Sequence, residues 1–139
     1  MESDSQEARL FHDGIGLFND REWFEAHETW EEVWHMASGR KKKFYQGLIQ
    51  LAVTLEHVRR GNPRGVRSVW GTCVPKFDGL DDVYMGIPVR PLIDAVGQAI
   101  KPILDLPPSY FDASRPRGQD LPMDWELVPR IELEHDPFG

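Results

Sequence analysis

Two histidines lie among carboxylates and amides at spacings that place them on two neighbouring helices. In the first helix, residues 20–37, an imidazole is followed one turn later by a carboxylate. In the second, residues 42–60, two amides and an imidazole recur on a largely apolar helix, where polar groups need hydrogen-bond partners. A short turn joins the helices, so we expect antiparallel neighbours and one semi-buried polar site. This predicted polar site consists of His27, Glu28, Glu31, Gln46, Gln50 and His57.

The residue types of the predicted polar site suit three kinds of chemistry. Zinc, iron and manganese accept imidazole and carboxylate ligands, and the predicted set for such a divalent metal is His27, Glu31 and His57. The same groups suit a small ligand, with or without a hydrolytic reaction on it. Alternatively, they form a structural network in which carboxylates fix the histidine tautomers and satisfy the glutamine amides. The residues alone do not decide whether the protein is an enzyme.

Basic residues are concentrated in the middle of the chain. Residues 40–70 hold eight Arg or Lys against one acid, Glu56, whereas the whole chain has a net charge of −7. Four of these cations lie at the start of the helix predicted at residues 42–60, which is helix three of the chain, where the helix dipole disfavours positive charge. The other four lie near the opposite end of that helix. We interpret them as candidate anion-binding residues. The alternative is that they pair with acidic residues of helix two, which is the helix at residues 20–37, and of the C-terminal tail. The two groups are Arg40, Lys41, Lys42 and Lys43, and Arg59, Arg60, Arg64 and Arg67.

The bulk composition bounds the function classes. The acidic balance argues against general nucleic-acid binding, so the expected partner is an unknown small ligand or a protein. No apolar run approaches the roughly 18 residues that a membrane span needs. The single cysteine, Cys73, excludes an internal disulfide, and the N-terminal stretch is polar and acidic, so the expected compartment is the cytoplasm. We expect a monomer or a homodimer.

Hydrophobic spacing predicts five helices around one core. They cover about residues 5–18, 20–37 and 42–60, a weaker stretch after residue 62, and residues 88–104. Asn19 has the residue type of an N-cap for helix two, and Gly61-Asn62-Pro63 is typical of a helix end followed by a helix start. The predicted core-facing side of helix two consists of Trp23, His27, Trp30, Trp34 and Ala37.

The pattern changes towards the end of the chain. A loop is predicted at about residues 81–87, and residues 106–139 hold six of the eleven prolines. That segment also holds four aromatic side chains, which disordered tails usually lack. We therefore interpret residues 106–139 as an extended arm packed on a bundle domain of residues 1–105, with a short strand near residues 126–134. The predicted fold class is all-α: a compact bundle of about five helices with a Pro-rich, irregular C-terminal arm.

Two long motifs in helices two and three are similar to those of a known family. The first is Leu17-Phe18-Asn19 followed by Trp23-Phe24-Glu25-Ala26-His27-Glu28. The second is Tyr45-Gln46-Gly47-Leu48-Ile49-Gln50-Leu51-Ala52. In this order and spacing they resemble the family catalogued as domain of unknown function 309, over about residues 10–100. The resemblance implies a small bundle of about five helices and leaves the biochemical role open.

Two functional hypotheses of different classes follow. The leading one places the binding of a metal or a small ligand at the predicted polar site. The other is a non-catalytic interaction or scaffold module that uses the segregated basic and acidic faces of the bundle. The metal content of protein purified without a histidine tag would discriminate between them.

Overall fold

The fold is taken from a computed structural model, which describes residues 2–116 and 118–139. The described residues form five α-helices, a two-stranded antiparallel hairpin and three short 3-10 helices. The α-helices are α1 (Glu2–Asn19), α2 (Trp23–Met36), α3 (Gly39–Arg59), α4 (Pro63–Cys73) and α5 (Val89–Leu104). The strands are β1 (Val83–Tyr84) and β2 (Ile87–Pro88), and the 3-10 helices are Val74–Phe77, Pro108–Phe111 and Trp125–Leu127. The predicted all-α fold class is confirmed.

Helix α3 lies at the centre of the bundle and contacts both α2 and α4, while α1 packs on α2. Its burial extends around most of the helix, as expected of a central helix with few charges beyond its ends. The core is rich in aromatic side chains, each of which buries a large apolar area. The largest fully buried ones are Trp23, Trp30, Tyr45, Phe11, Phe18, Phe44 and Phe77. Every helix in the described part of the chain falls short of the length and apolarity that a bilayer crossing requires.

The predicted N-cap role of Asn19 is wrong. Asn19 is the last residue of α1, and α2 begins after Glu22, whose side chain makes no capping bond in the described structure. The Asn19 side chain instead binds the backbone of Ile131 in the C-terminal arm, accepting from its N–H at 2.6 Å and donating to its carbonyl at 3.0 Å. The Asn19 side chain, which local rules assign to a helix cap, is therefore hydrogen-bonded to a residue that is distant in the sequence.

The buried face of α2 is rotated from the one predicted. The buried residues of α2 are Trp23, Ala26, Trp30 and Val33, whereas His27, Trp34 and Ala37 are half-buried at its edge. Trp30 belongs to both faces, and its ring packs directly against Gly14 of α1, where any Cβ would clash with the indole. The edge position of His27 decides the site, since it brings the imidazole to the boundary between core and solvent.

The connection between α3 and α4 follows the sequence prediction. Gly61 has a φ of 65°, Asn62 caps α4 by accepting from the Gly65 N–H at 3.1 Å, and Pro63 is the first helical residue. Proline suits this position because its missing N–H has no partner within the helix there. The turn fixes Asn62 beside His57, the residue it contacts in the candidate site.

The predicted loop at residues 81–87 is partly a β-hairpin, with Val83 paired to Pro88 and Tyr84 to Ile87. Its two turn residues, Met85 and Gly86, have φ values of 50° and 77°. Two positive φ angles identify a type I′ turn, which matches the twist of paired strands. The hairpin was missed because methionine is an uncommon residue at the first turn position.

The C-terminal arm crosses several elements of the bundle. Met123 and Ile131 are buried in the core, and the Asp124 N–H donates to the Ala99 carbonyl of α5 at 3.0 Å. The Glu134 N–H donates to the Gly86 carbonyl of the hairpin at 2.8 Å. The predicted strand near residues 126–134 is wrong: within the described residues, this stretch holds the end of a 3-10 helix and otherwise irregular backbone.

Candidate ligand-binding site

A pocket of about 160 Å³ opens between the start of α2 and the end of α3. Both histidines of the predicted polar site reach it from their separate helices, so the structure brings His27 and His57 to one cavity. We call this cavity the α2–α3 pocket. Its described lining consists of Trp23, Phe24, His27, Val53, Glu56, His57 and Arg60.

Helical spacing explains how the two helices build the pocket. On α3 the lining residues lie at positions 53, 56, 57 and 60, intervals of three, four and seven that form one stripe of a helix. On α2 the lining positions 23, 24 and 27 lie within the first turn and the start of the second. Because these stripes border the buried faces of both helices, the pocket has an apolar floor and a polar rim.

The His27 ring is held by bonds within its own helix. Its Nδ1 lies 2.9 Å from the Phe24 carbonyl, and because a carbonyl only accepts, Nδ1 is the donor. Its Nε2 lies 3.2 Å from a Glu31 carboxylate oxygen, and the Glu31 side chain is 50% exposed. Both ring nitrogens therefore face acceptor groups. The ring also contacts the Phe24 ring at a centroid distance of 5.3 Å.

The His57 ring is fixed by the turn that starts α4. The Asn62 side-chain oxygen accepts from the Gly65 N–H, so its amide nitrogen is the group that faces His57 Nδ1, at 3.2 Å. That amide donates, and Nδ1 accepts. Gly65 packs against the ring so closely that a Cβ there would lie 2.5 Å from Nδ1.

Glu56 is the acidic residue of the pocket lining, and two arginines of its own helix bind both its oxygens. Arg59 Nη1 lies 3.2 Å from Oε1, and Arg60 Nε lies 3.0 Å from Oε2. The Glu56 side chain is only 13% exposed, whereas that of Arg60 is 59% exposed. The guanidinium of Arg60 thus stands at the mouth of the pocket, where it also lies 5.3 Å from the centre of the Phe24 ring.

Trp23 forms the inner wall and carries an unusual polar group. Its side chain is fully buried, yet its indole N–H has no hydrogen-bond partner among the described residues. Buried polar groups are nearly always paired, so we call such a group an orphan N–H. The ring itself is held by the Arg59 guanidinium, 4.6 Å from its centre, and by the Trp125 ring of the arm, stacked at 5.9 Å.

The other members of the predicted polar site lie outside this pocket. Its described lining does not include Glu28, Glu31, Gln46 or Gln50. Glu28 is exposed, Glu31 contacts His27 from the solvent side, and the Gln50 side-chain oxygen is buried without a partner in the described part of the chain. The predicted single cluster is thus divided between the pocket and its surroundings.

The geometry gives no support to the predicted metal set. Across residues 2–116 and 118–139, no group of three or more His, Cys, Asp or Glu side chains is placed to hold a metal ion. His27 and Glu31 are close to each other, but the Nδ1 atom of His57 is directed to Asn62.

The basic run at the start of α3 contacts α1 through Lys41 and α2 through Lys42. Lys41 lies 3.2 Å from the Glu7 carboxylate, which also accepts a 2.7 Å hydrogen bond from the Tyr45 hydroxyl. Burial, followed by this bond, raises the pKa of the Tyr45 hydroxyl far above its usual range. Lys42 lies 4.3 Å from the centre of the Trp34 ring, while Arg40 is exposed on the first turn. The acid that pairs with Lys41 thus belongs to α1, and not to helix two or the tail as in the alternative interpretation.

The second basic group divides between two cavities. Arg59 and Arg60 belong to the α2–α3 pocket and its surroundings, whereas Arg64 and Arg67 border a more open cavity of about 320 Å³ on α4. Arg67 also lies 4.0 Å from the centre of the Phe111 ring in the arm. The anion-binding role predicted for both groups stays a prediction.

Sequence reasoning missed four lining residues, namely Trp23, Phe24, Val53 and Glu56. Trp23 was assigned to the core alone, although a fully buried ring can also form the wall of a cavity. A detectable signal existed in the i, i+3, i+4, i+7 stripe that links Val53 and Glu56 to His57 and Arg60. The stripe alternates apolar, acidic and basic residues, which is unusual for a helix side that borders the core.

Residues 11–69 match a family model described as "Domain of unknown function (DUF309)". The resemblance seen in the two motifs is thereby confirmed over these residues, and the match ends short of the predicted limit near residue 100. All the described residues that line the α2–α3 pocket lie inside the matched segment.

Two curated relatives are similar to part of the chain. An "Uncharacterized protein" of Aquifex aeolicus (strain VF5) is 32% identical over 84 residues, which cover 60% of this chain and 25% of the relative. The "Uncharacterized protein YpuF" of Bacillus subtilis (strain 168) is 40% identical over 55 residues, covering 39% of this chain and 32% of the relative. The chain thus spans between a quarter and a third of the curated relatives that it matches.

Proposed function

We propose that the DUF309 segment of this chain, residues 11–69, is a binding module that takes up a small organic ligand in the α2–α3 pocket. The observation that carries the proposal is the meeting of two positioned imidazoles and the 39% exposed Phe24 ring at one cavity.

The way His27 is held favours binding over acid–base catalysis, because both its ring nitrogens have partners. His27 is held by the Phe24 carbonyl and Glu31, and Nδ1 of His57 by the Asn62 amide. Groups engaged in this way shape and orient a cavity. A general base instead needs a nitrogen within hydrogen-bond reach of the proton that it removes.

The size of the pocket suits a ligand of about one ring. Its volume of about 160 Å³ is close to that of an engineered cavity of about 150 Å³ in another protein, which binds benzene. The aromatic wall of Trp23 and Phe24 offers flat apolar contact area for a ring.

Filling the pocket tests the proposal. Val53 is half-buried on the α3 stripe, so Val53→Phe should occupy the cavity, while Val53→Ala should leave it open. We expect single-ring compounds to shift the NMR resonances of the lining residues in the wild type and in Val53→Ala. In Val53→Phe, whose fold is checked by its circular dichroism spectrum, these shifts should disappear.

Two results would contradict the proposal. The first is that no single-ring compound in a fragment panel shifts a lining residue in the wild type. The second is that the shifts persist unchanged in a folded Val53→Phe variant, which would place the binding outside this pocket.

A further inference from the structure

Resting on the proposed function, we infer the class of ligand: a small carboxylate with a flat apolar body. The inference comes from the hydrogen-bonding groups that line the α2–α3 pocket. They divide into acceptors that the protein already uses and donors that remain open to a ligand. A ligand for this pocket must therefore bring acceptors.

The acceptors of the pocket are occupied. Both oxygens of Glu56 bind arginines of α3, at 3.2 and 3.0 Å. The Phe24 carbonyl accepts from His27 at 2.9 Å. Nδ1 of His57 accepts from the Asn62 amide at 3.2 Å. A ligand whose main polar group is a donor, such as an amine, would have to displace one of these bonds.

The open groups are donors. Arg60 uses Nε to bind Glu56, and its guanidinium carries further N–H groups in a planar fork that matches a carboxylate. The Arg60 side chain is 59% exposed at the mouth, so it can reach a ligand without leaving the protein surface.

The charges nearest the pocket do not oppose an anion. The single carboxylate of the lining is matched by Arg60, and the adjacent Arg59 adds a second positive charge, 4.6 Å from the centre of the Trp23 ring. Glu31 faces His27 from outside and is half exposed, where solvent screens its charge. Arg59 and Arg60 are matched in number by Glu56 and Glu31, so the local balance is neutral although the chain as a whole is acidic.

The apolar groups define the body of the ligand. Trp23, Phe24 and Val53 supply two aromatic surfaces and one aliphatic one, and the cavity holds about one ring. Benzoate has this combination of a ring and a carboxylate, so it is a suitable probe. Benzamide and benzylamine share its ring and differ in their polar group, which is neutral in the first and cationic in the second.

The test compares the binding of these three probes to the full chain by NMR. We expect benzoate to bind most tightly and to move the Trp23 indole N–H resonance. Trp34 carries a second orphan N–H that is not part of the pocket lining, so its resonance should stay in place. The loss of one indole N–H resonance in Trp23→Phe assigns the Trp23 signal. If Trp23→Phe does not fold, spectra of Trp34→Phe and Trp125→Phe narrow the assignment by identifying the signals of those two residues.

A pair of arginine variants tests the charge. Arg60→Gln changes an exposed side chain of the lining and should weaken benzoate binding about tenfold while leaving benzamide binding unchanged. Arg64→Gln, an equally conservative change at an exposed position of α4 outside the lining, should alter neither.

The outcomes separate the ligand class from the pocket itself. If benzamide or benzylamine shifts the lining residues at least as tightly as benzoate does, the carboxylate class is overturned and the pocket stands. If benzoate moves Trp34 and not Trp23, or loses as much affinity in Arg64→Gln as in Arg60→Gln, the placement is overturned. If none of the three probes shifts a lining residue, the proposed function and this inference both fall.

Discussion

The two ends of the α2–α3 pair carry the same combination of groups in different surroundings. At one end the Arg59 guanidinium lies 4.6 Å from the centre of the Trp23 ring, and at the other the Lys42 ammonium lies 4.3 Å from the centre of the Trp34 ring. Both indoles have an orphan N–H in the described structure. The Trp23 end opens onto the α2–α3 pocket, whereas Trp34 is not among the residues described in its lining.

The third element that reaches each end accounts for the difference. At the Trp34 end, Glu7 of α1 binds both Lys41 and Tyr45 and ties α1 to α3. At the Trp23 end, the arm stacks one ring, Trp125, on the tryptophan and leaves a cavity between the two helices. An indole paired with a cation is thus a candidate binding site only where a cavity adjoins it.

The largest difference between the two ends should appear when each indole is removed. Trp23→Ala deletes a fully buried ring and should lower the free energy of unfolding by about 3–5 kcal/mol. Trp34→Ala deletes a half-buried ring and should cost about half as much. Urea denaturation of the two variants measures both values. Equal losses would show that the arm does not bury Trp23 as described.

A smaller effect is expected where a glycine adjoins the pocket. Gly65→Ala places a Cβ 2.5 Å from the His57 ring, which must shift, so we expect a loss of about 1–3 kcal/mol and weaker ligand binding. Gly71→Ala is the control on the same helix, because its Cβ would meet no described atom within 4 Å. It should stabilise the protein by roughly 0.5–1 kcal/mol. Thermal melts that move in the same direction would argue against the close packing of His57.

Variants of His27 and Glu31 should distinguish the contribution of the pocket lining to stability from that of its solvent-exposed side. His27→Ala removes a lining ring and its bond to the Phe24 carbonyl, at an expected cost of about 1–2 kcal/mol. Glu31→Gln changes a half-exposed carboxylate and should cost under about 0.5 kcal/mol. Both variants should fold. A larger loss in Glu31→Gln, measured by urea denaturation, would mean that the ion pair and not the ring supports this edge.

The smallest effect is expected from metal ions. Because the described residues offer no three-ligand group, zinc, manganese or iron should leave the melting temperature of the wild type unchanged. The His27→Ala, His57→Ala double variant is the matched control. A metal-dependent rise in the wild type that the double variant lacks would restore the metal interpretation of these histidines.

The helices could be predicted from the sequence because their signals are local. The fifth helix was expected at residues 88–104 and lies at Val89–Leu104. The turn at Gly61, Asn62 and Pro63 follows local conformational rules, and the structure repeats them. The hairpin at residues 83–88 escaped because each strand has only two residues, too few to show a period.

The site could be predicted only in part, because it depends on how elements meet. Helical spacing was enough to select His27 and His57 and to expect them near each other. It did not show that the buried face of α2 is rotated from the predicted one, with Trp30 packed against Gly14 and His27 at the edge of the core. The orphan N–H of Trp23 depends on Arg59 and Trp125 around it, and no local pattern specifies such a neighbourhood.

The contacts of the arm have a consequence for the order of folding. Asn19 binds Ile131 across 112 positions of the chain, and Arg21 binds the Trp125 carbonyl across 104. Contacts this distant form slowly, and helices α1 to α4 leave the ribosome well before the arm is made. A nascent chain therefore presents the outer face of Trp23 uncovered until the arm is made, and we expect the arm to be the last of these elements to dock during refolding.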